Sequence, residues 1–189
     1  MKEKVTAKVI SQQEIAENIF DMWIETGLAQ EAHPGQFIGV FPKNKSTILP
    51  RPISICEINK EKTALRIVYL IAGQGTKEFS SFVAGDQVDI LGILGNGFPL
   101  EAGKGKKVFL MGGGIGVPPI LQLAKELDAD KSVVVGYRDM ENCRDGVWRA
   151  YINFADSDFA GHDPYWDKWF QSYGDFMKYY AELAEETGC

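Results

Sequence analysis

Hydrophobic and polar residues alternate along the first half of the chain. Residues 4–11 and 18–26 place apolar side chains at roughly every second position, the period of a strand with one buried face. A turn at His33-Pro34-Gly35 precedes a third such stretch, 36–41, rich in aromatic and β-branched residues. Residues 52–58 and 63–71 flank the polar turn Asn59-Lys60-Glu61-Lys62 and read as a hairpin. After Gly73-Gln74-Gly75-Thr76 the spacing of Phe79 and Phe82 predicts a short helix, and 87–94 follows Ala84-Gly85-Asp86 as a sixth strand. Six short antiparallel strands and one helix suffice for a closed Greek-key barrel, which leaves no open edge. The pattern therefore predicts an all-β barrel, self-sufficient within residues 1–100.

The period then changes. Residues 106–111 read as a buried strand that runs straight into Gly112-Gly113-Gly114-Ile115-Gly116. Residues 117–127 read as a helix with Ile120, Leu121, Ala124 and Leu127 on one face, and 131–136 as a parallel-type strand. Strand, glycine turn, helix and strand make a βαβ unit, the start of an α/β nucleotide-binding domain. The fragment supplies only two strands and one helix. Val108, Leu110, Val133 and Val135 thus need cover from elsewhere, because parallel sheets are buried on both faces, and the tail helix with its aromatic face is the candidate expected to supply it.

Past Asp139 the composition shifts. Of the 22 aromatic residues, 12 lie in the last 50, among them Trp148, Trp166 and Trp169. Residues 147–154 read as a strand. A helix is predicted from Asp163-Pro164 to Glu186, its apolar residues recurring every three or four positions before the stop at Thr187-Gly188. Three segments result: a barrel (1–100), a partial α/β domain (101–139), and a strand–helix tail (140–189) foreign to both.

The candidate chemistry lies in three stretches. In Arg51-Pro52-Ile53-Ser54 the proline drives Arg51 into extended backbone, where its planar guanidinium suits a pyrophosphate, while Ser54 offers a small hydroxyl. An ordinary proline-started strand with a surface arginine has the same form. In Val68-Tyr69-Leu70-Ile71-Ala72-Gly73-Gln74-Gly75-Thr76 a strand enters a helix start with Thr76 placed to cap it, a geometry that attracts anions, although most such turns bind nothing. Gly92, Gly95 and Gly97 let backbone approach a ligand closely, and the turn Gly112 to Gly116 departs from G-x-G-x-x-G at Pro118-Pro119. A tight crossover without ligand would use that turn too.

Taken in this order, Leu49-Pro50-Arg51-Pro52-Ile53-Ser54-Ile55, Gly73-Gln74-Gly75-Thr76, Leu94-Gly95-Asn96-Gly97-Phe98 and Gly112-Gly113-Gly114-Ile115-Gly116-Val117-Pro118-Pro119 resemble the ferredoxin-reductase family of flavoproteins. Within it they look most like the electron-transfer subunits of bacterial dihydroorotate dehydrogenases, over residues 1–139. The resemblance implies FAD against the barrel: Arg51 on its pyrophosphate, Ser54 near the isoalloxazine edge, Pro52 and Ile53 among the cofactor-binding residues, Gly75 and Thr76 capping the phosphates, and Val68, Tyr69 and Leu70 on the ribityl and adenine side. It implies that Gly112, Gly113, Gly114 and Gly116 face NAD. It further implies an FMN-containing catalytic subunit as partner, in pyrimidine biosynthesis, and a [2Fe–2S] cluster. Four closely spaced cysteines are needed for that cluster, and the chain has three in all, Cys56, Cys143 and Cys189. The cluster is accordingly not expected here. Residues 140–189 resemble a fragment of a TIM-barrel β-mannanase-like glycoside hydrolase. Two further readings stay open: a flavin-binding module without electron transfer, and a carbohydrate-active fragment.

Net charge and composition narrow the field. A charge of −6 disfavours sequence-independent nucleic-acid binding. No run of about 18 apolar residues predicts a membrane span, and the polar–apolar start of the chain lacks a signal-peptide core, so a cytoplasmic protein is expected. His33, and His162 beside Asp163, read as loop residues, and the spaced aspartates 156, 158, 163 and 167 lack the pattern of a calcium loop. No catalytic side chain and no metal ligand stands out.

Overall fold

The computed structural model describes residues 3–44 and 49–136. The elements predicted at 147–154 and from Asp163 to Glu186 lie outside the described residues. Strands β1 (Glu3–Ala16), β2 (Ile19–Glu25), β3 (Phe37–Val40), β4 (Arg51–Ile58), β5 (Ala64–Leu70) and β6 (Gln87–Leu94) close a barrel in the order β1-β2-β5-β4-β3-β6. Every pairing in it is antiparallel. β3, β4 and β5 are consecutive neighbours and β6 returns beside β3, which is the Greek-key path. The predicted fold class holds.

Alternation places the core as expected. Ile53, Ile55, Leu65, Ile67, Tyr69, Val88 and Ile90 turn inward with Met22, Ile24, Ile38 and Val40, and all are buried in one cluster. Phe79 and Phe82 are buried in the same cluster. They lie on and just after the short helix α1 (Gln74–Phe79), with their rings stacked at 5.9 Å between centroids. Every buried member of this cluster comes from residues 7–93.

β1 runs five residues past its predicted end, because Gln12, Gln13 and Glu14 break the apolar alternation yet still pair with Met22, Asp21 and Phe20. Gln12 repays its place in the strand. Its amide donates to the carbonyls of Phe79 and Phe82 at 3.0 and 2.9 Å, and its oxygen accepts from the Tyr69 hydroxyl at 2.8 Å. The end of α1 is thereby fixed to two strands with every donor used.

Burial pushes the Tyr69 phenol upward. A folded state that holds this proton more tightly than the unfolded chain keeps the contribution in full below the ordinary phenol value of about 10, and loses it as pH rises beyond. Tyr69→Phe is therefore expected to flatten the fall of unfolding free energy with pH above about 10, as measured by urea titrations at several alkaline pH values. An identical slope in both proteins would contradict it.

Beyond the barrel, β7 (Lys107–Gly113) and β8 (Asp130–Gly136) pair in parallel across α2 (Ile120–Glu126), the predicted βαβ unit. Two details differ from expectation. The helix starts at Ile120, three residues late, because 114–121 is closed by three-apart bonds: Val117 to Gly114, Ile120 to Val117 and Leu121 to Pro118. β7 is not buried throughout. Val108, Leu110, Val133 and Val135 do find cover, against Ile120, Leu123 and Leu127, whereas Phe109 and Met111 on the other face stay exposed.

Candidate functional site

The outer face of β4 carries the first site residues. Its alternation turns Ile53 and Ile55 into the core and leaves Pro52 and Ser54 exposed outside, with Arg51 half-buried at the strand start. β3 ends beside them, pairing Val40 with Arg51, Gly39 with Pro52 and Phe37 with Ser54. Arg51 donates to the Leu49 carbonyl at 2.6 Å, which bends the side chain back along its own strand.

From there the guanidinium reaches the second motif. A Cβ on Gly75 would lie 2.7 Å from Arg51 Nε and 3.2 Å from Cζ, so glycine at 75 is what lets the arginine lie across the first turn of α1. Two motifs separated by a whole hairpin in sequence meet on one surface. Thr76 does not precede the helix but sits in its first turn. Its hydroxyl accepts from the backbone of Ala72 at 2.8 Å and Gly73 at 3.2 Å and donates to the Gly73 carbonyl at 3.1 Å. Gly73 begins the helix with no side chain of its own, and a Cβ there would meet only open space. Glu78, later in the same helix, accepts from the backbone of Lys43 and Asn44.

β5 contributes unevenly. Leu70 is exposed, whereas Tyr69 points into the core, stacked on Phe20 and edge-on to Phe79. Val68 faces outward but is covered, in a cluster with Cys56, Val117 and Leu121. Ile53 and Tyr69 thus offer this surface only their backbone.

The third motif lies close by, since Gly114–Gly116 contacts β5. Here the glycines divide. A Cβ on Gly112 would come within 3.0 Å of the Gly116 carbonyl and of Val117 Cα, so that glycine is required by the fold of the turn itself. Gly114 has φ +51°, and both Gly114 and Gly116 face open space, with Ile115 exposed between them. A cradle for a close-approaching ligand needs this openness. Gly95 and Gly97 serve packing instead. Both have positive φ, and their loop is pinned to 33–37 by the bonds from Phe98 N–H to the Pro34 carbonyl and from Gln36 to the Gly95 carbonyl, each 2.8 Å. The Phe98 ring lies on Gly35, where a Cβ would clash at 2.5 Å.

One charged cluster escaped the sequence reading. On the outside of β2, β5 and β4, Arg66 stands opposite Trp23 on one side and Glu57 on the other. It clamps Asp21 with two bonds of 2.8 Å and reaches Glu57 at 3.1 Å. Burial alone would lower the guanidinium, but the bonds and charge of Asp21, with Cys56 and Glu57, outweigh it and hold Arg66 firmly protonated. The signal was an Asp inside an apolar strand, Phe20-Asp21-Met22, which asks for a cation on a neighbouring strand. Among the described residues no group of three His, Cys, Asp or Glu could hold a metal ion, and no helix is long and apolar enough to cross a membrane.

Known proteins align with this layout. The electron transfer subunit of dihydroorotate dehydrogenase B (NAD(+)) from Streptococcus mutans is 47% identical over 128 residues, 67% of this chain and 49% of that protein. The same-named subunit from Listeria innocua is 44% identical over 131 residues, 69% and 51%. The chain spans about half the length of the curated relatives it matches. Among solved structures, an NADH-dependent reduced ferredoxin-NADP oxidoreductase is 28% identical with a TM-score of 0.64, over 75% of this chain and 52% of that one. Phthalate dioxygenase reductase, 19% identical with a TM-score of 0.64 over 98% and 64%, shares the fold. The family model for Glycoside Hydrolase Family 113 matches residues 120–189, starting inside the βαβ unit rather than at the composition break. Over about two thirds of its length the chain is thus similar to the electron transfer subunits of dihydroorotate dehydrogenase B, and from residue 120 onward to a glycoside hydrolase family.

Proposed function

We propose that the chain binds FAD on the outer face of the barrel and is the flavin-carrying part of an electron-transfer subunit. In the complete assembly it would pass electrons from an FMN-containing dihydroorotate dehydrogenase catalytic subunit to NAD. The observation behind this reading is the meeting of Arg51 with Gly75 beside exposed Ser54 and Leu70, next to an open glycine turn. The similarity to the named subunits points the same way.

These residues fit the group. Arg51 offers a fixed planar fork to a pyrophosphate. Gly75, at the start of α1, carries no side chain that would displace that guanidinium. Pro52 and Ser54 form an exposed strip with one hydroxyl, suited to a flat, mostly apolar ring, and exposed Leu70 is left for the ribityl and adenine side. FAD, when bound, supplies the redox chemistry; the protein's share is placement and exclusion of water. No side chain need give or take a proton. The open backbone at Gly114 and Gly116 would admit a dinucleotide phosphate. The domain division follows as 1–100 for FAD, 101–139 for part of the NAD domain, and 140–189 for the tail.

A flavin module without electron transfer is the alternative reading of the same surface. A carbohydrate-active fragment is favoured by the glycoside hydrolase match. Bound flavin in the purified protein separates the first two readings from the third, and reduction of that flavin by NADH separates the first from the second. The chain is also expected to hold no iron–sulfur cluster, because three scattered cysteines fall short of the four ligands required. Iron and acid-labile sulfide assays on anaerobically purified protein check this; stoichiometric amounts of both would contradict it.

A further inference from the structure

β3 is half the length of β4 and pairs only with residues 51–54. The remainder of β4, from Ile55 to Ile58, has a neighbour on the β5 side alone within the barrel. An uncovered strand edge leaves backbone donors without partners. Ile55 N–H is met by the Gln36 carbonyl at 2.9 Å. Ile58 N–H is met from outside the barrel: it donates to the side-chain oxygen of Gln122 on α2 at 2.9 Å.

Gln122 is buried, an unusual place for an amide on a helix surface, and its own N–H₂ is engaged by Glu126. One turn away, Lys125 reaches Glu57, whose other oxygen is held by Arg66. The shift in β4–β5 register between Ile55 and Glu57 makes Cys56 the extra residue of a bulge. It is buried in the cluster with Val68, Val117 and Leu121. Bulge, amide and ion pair all fall on the seam between the barrel and the βαβ unit.

We infer that Gln122 is a positioning residue, a latch that completes the β4 edge and, with Lys125–Glu57, holds α2 and the glycine turn before it against the barrel. The βαβ unit is then part of how the barrel closes, not an appendage beside it. The consequence for electron transfer rests on the proposed function, since it requires Gly114 and Gly116 to face a nicotinamide nucleotide. The latch itself does not.

Cys56 reports on the seam. In full-length protein carrying Cys143→Ser and Cys189→Ser, it is the sole thiol, and a thiol reagent reads how often its cover opens. Gln122→Met keeps the volume and removes the acceptor, leaving a buried N–H unmet. Labelling of Cys56 is expected to rise about tenfold, with urea stability lowered by less than that factor implies and FAD content unchanged. Gln122→Glu combined with Glu126→Gln restores an acceptor and a donor and should return labelling to the starting rate. Lys125→Met, which loosens the same seam at the surface, should raise it by a smaller factor.

Unchanged labelling in Gln122→Met overturns the latch. So does a rise matched by an equal loss of global stability, or one the exchanged pair does not reverse. If labelling behaves as expected while the Michaelis constant for NADH-driven flavin reduction stays the same, the latch stands and the glycine turn's assignment to the nucleotide falls.

Discussion

Arg66→Met is expected to destabilise the folded protein by about 3–5 kcal/mol, the usual cost of removing one partner from a buried ion pair. The Asp21 carboxylate is only 4% exposed and takes both of its short bonds from this guanidinium. Without Arg66 a charge remains in a site that water does not reach, on a strand paired through Val68 and Ile67 to the centre of the barrel. Glu57 suffers less, because Lys125 still reaches it. Against a typical domain stability of about 5–15 kcal/mol, the loss should be plain in urea unfolding at fixed flavin concentration. Combining Arg66→Met with Asp21→Leu removes the stranded charge and should recover most of the stability, since buried pairs exchanged for apolar groups are often neutral or better. A loss below about 1 kcal/mol, the range of a surface pair, would mean that Asp21 is solvated in solution.

Arg51→Ala is expected to weaken FAD retention by roughly 10- to 150-fold, which corresponds to about 1.5–3 kcal/mol for a charge-assisted bond. The fold should survive, because Arg51 is half-buried at a strand end and donates to the carbonyl of Leu49, two residues before it. Removing the side chain uncovers Gly75 but opens no core. Riboflavin, which lacks the pyrophosphate, should bind both proteins alike, and that comparison isolates the contact. Isothermal titration of the flavin-free forms gives all four affinities. Equal loss for FAD and riboflavin would place Arg51 somewhere other than on the phosphates.

The barrel was legible because its signals are local. Alternation in β2, β4, β5 and β6, the polar turn at 59–62 and the glycines at 35 and 85 each mark an element in a few residues. That Arg51 and Gly75 serve one surface was implied only by the resemblance that the order of motifs carries, and their direct contact was not legible in the sequence. What stayed hidden depends on neighbours distant in the chain. Gln12 and Gln122 look like surface amides until their acceptors and donors at Phe79, Phe82, Tyr69 and Ile58 are brought to them. The same holds for Val68 and Tyr69, whose alternation says that they face opposite ways but not which face will be covered. Val68 is outward and still buried, because α2 lies over it. The late start of α2 follows from Pro118-Pro119, which suit a tight turn after the glycines better than a helix already under way.

The account stands on flavin at the outer face of β4. The direct measurement is the visible absorbance spectrum of the purified full-length chain, before and after incubation with FAD, with the released flavin identified by chromatography. The account predicts a flavin spectrum approaching one FAD per chain, largely lost on gel filtration of Arg51→Ala and retained by the unaltered protein. A folded protein that holds no flavin after incubation, or that retains FAD equally well without Arg51, would contradict it.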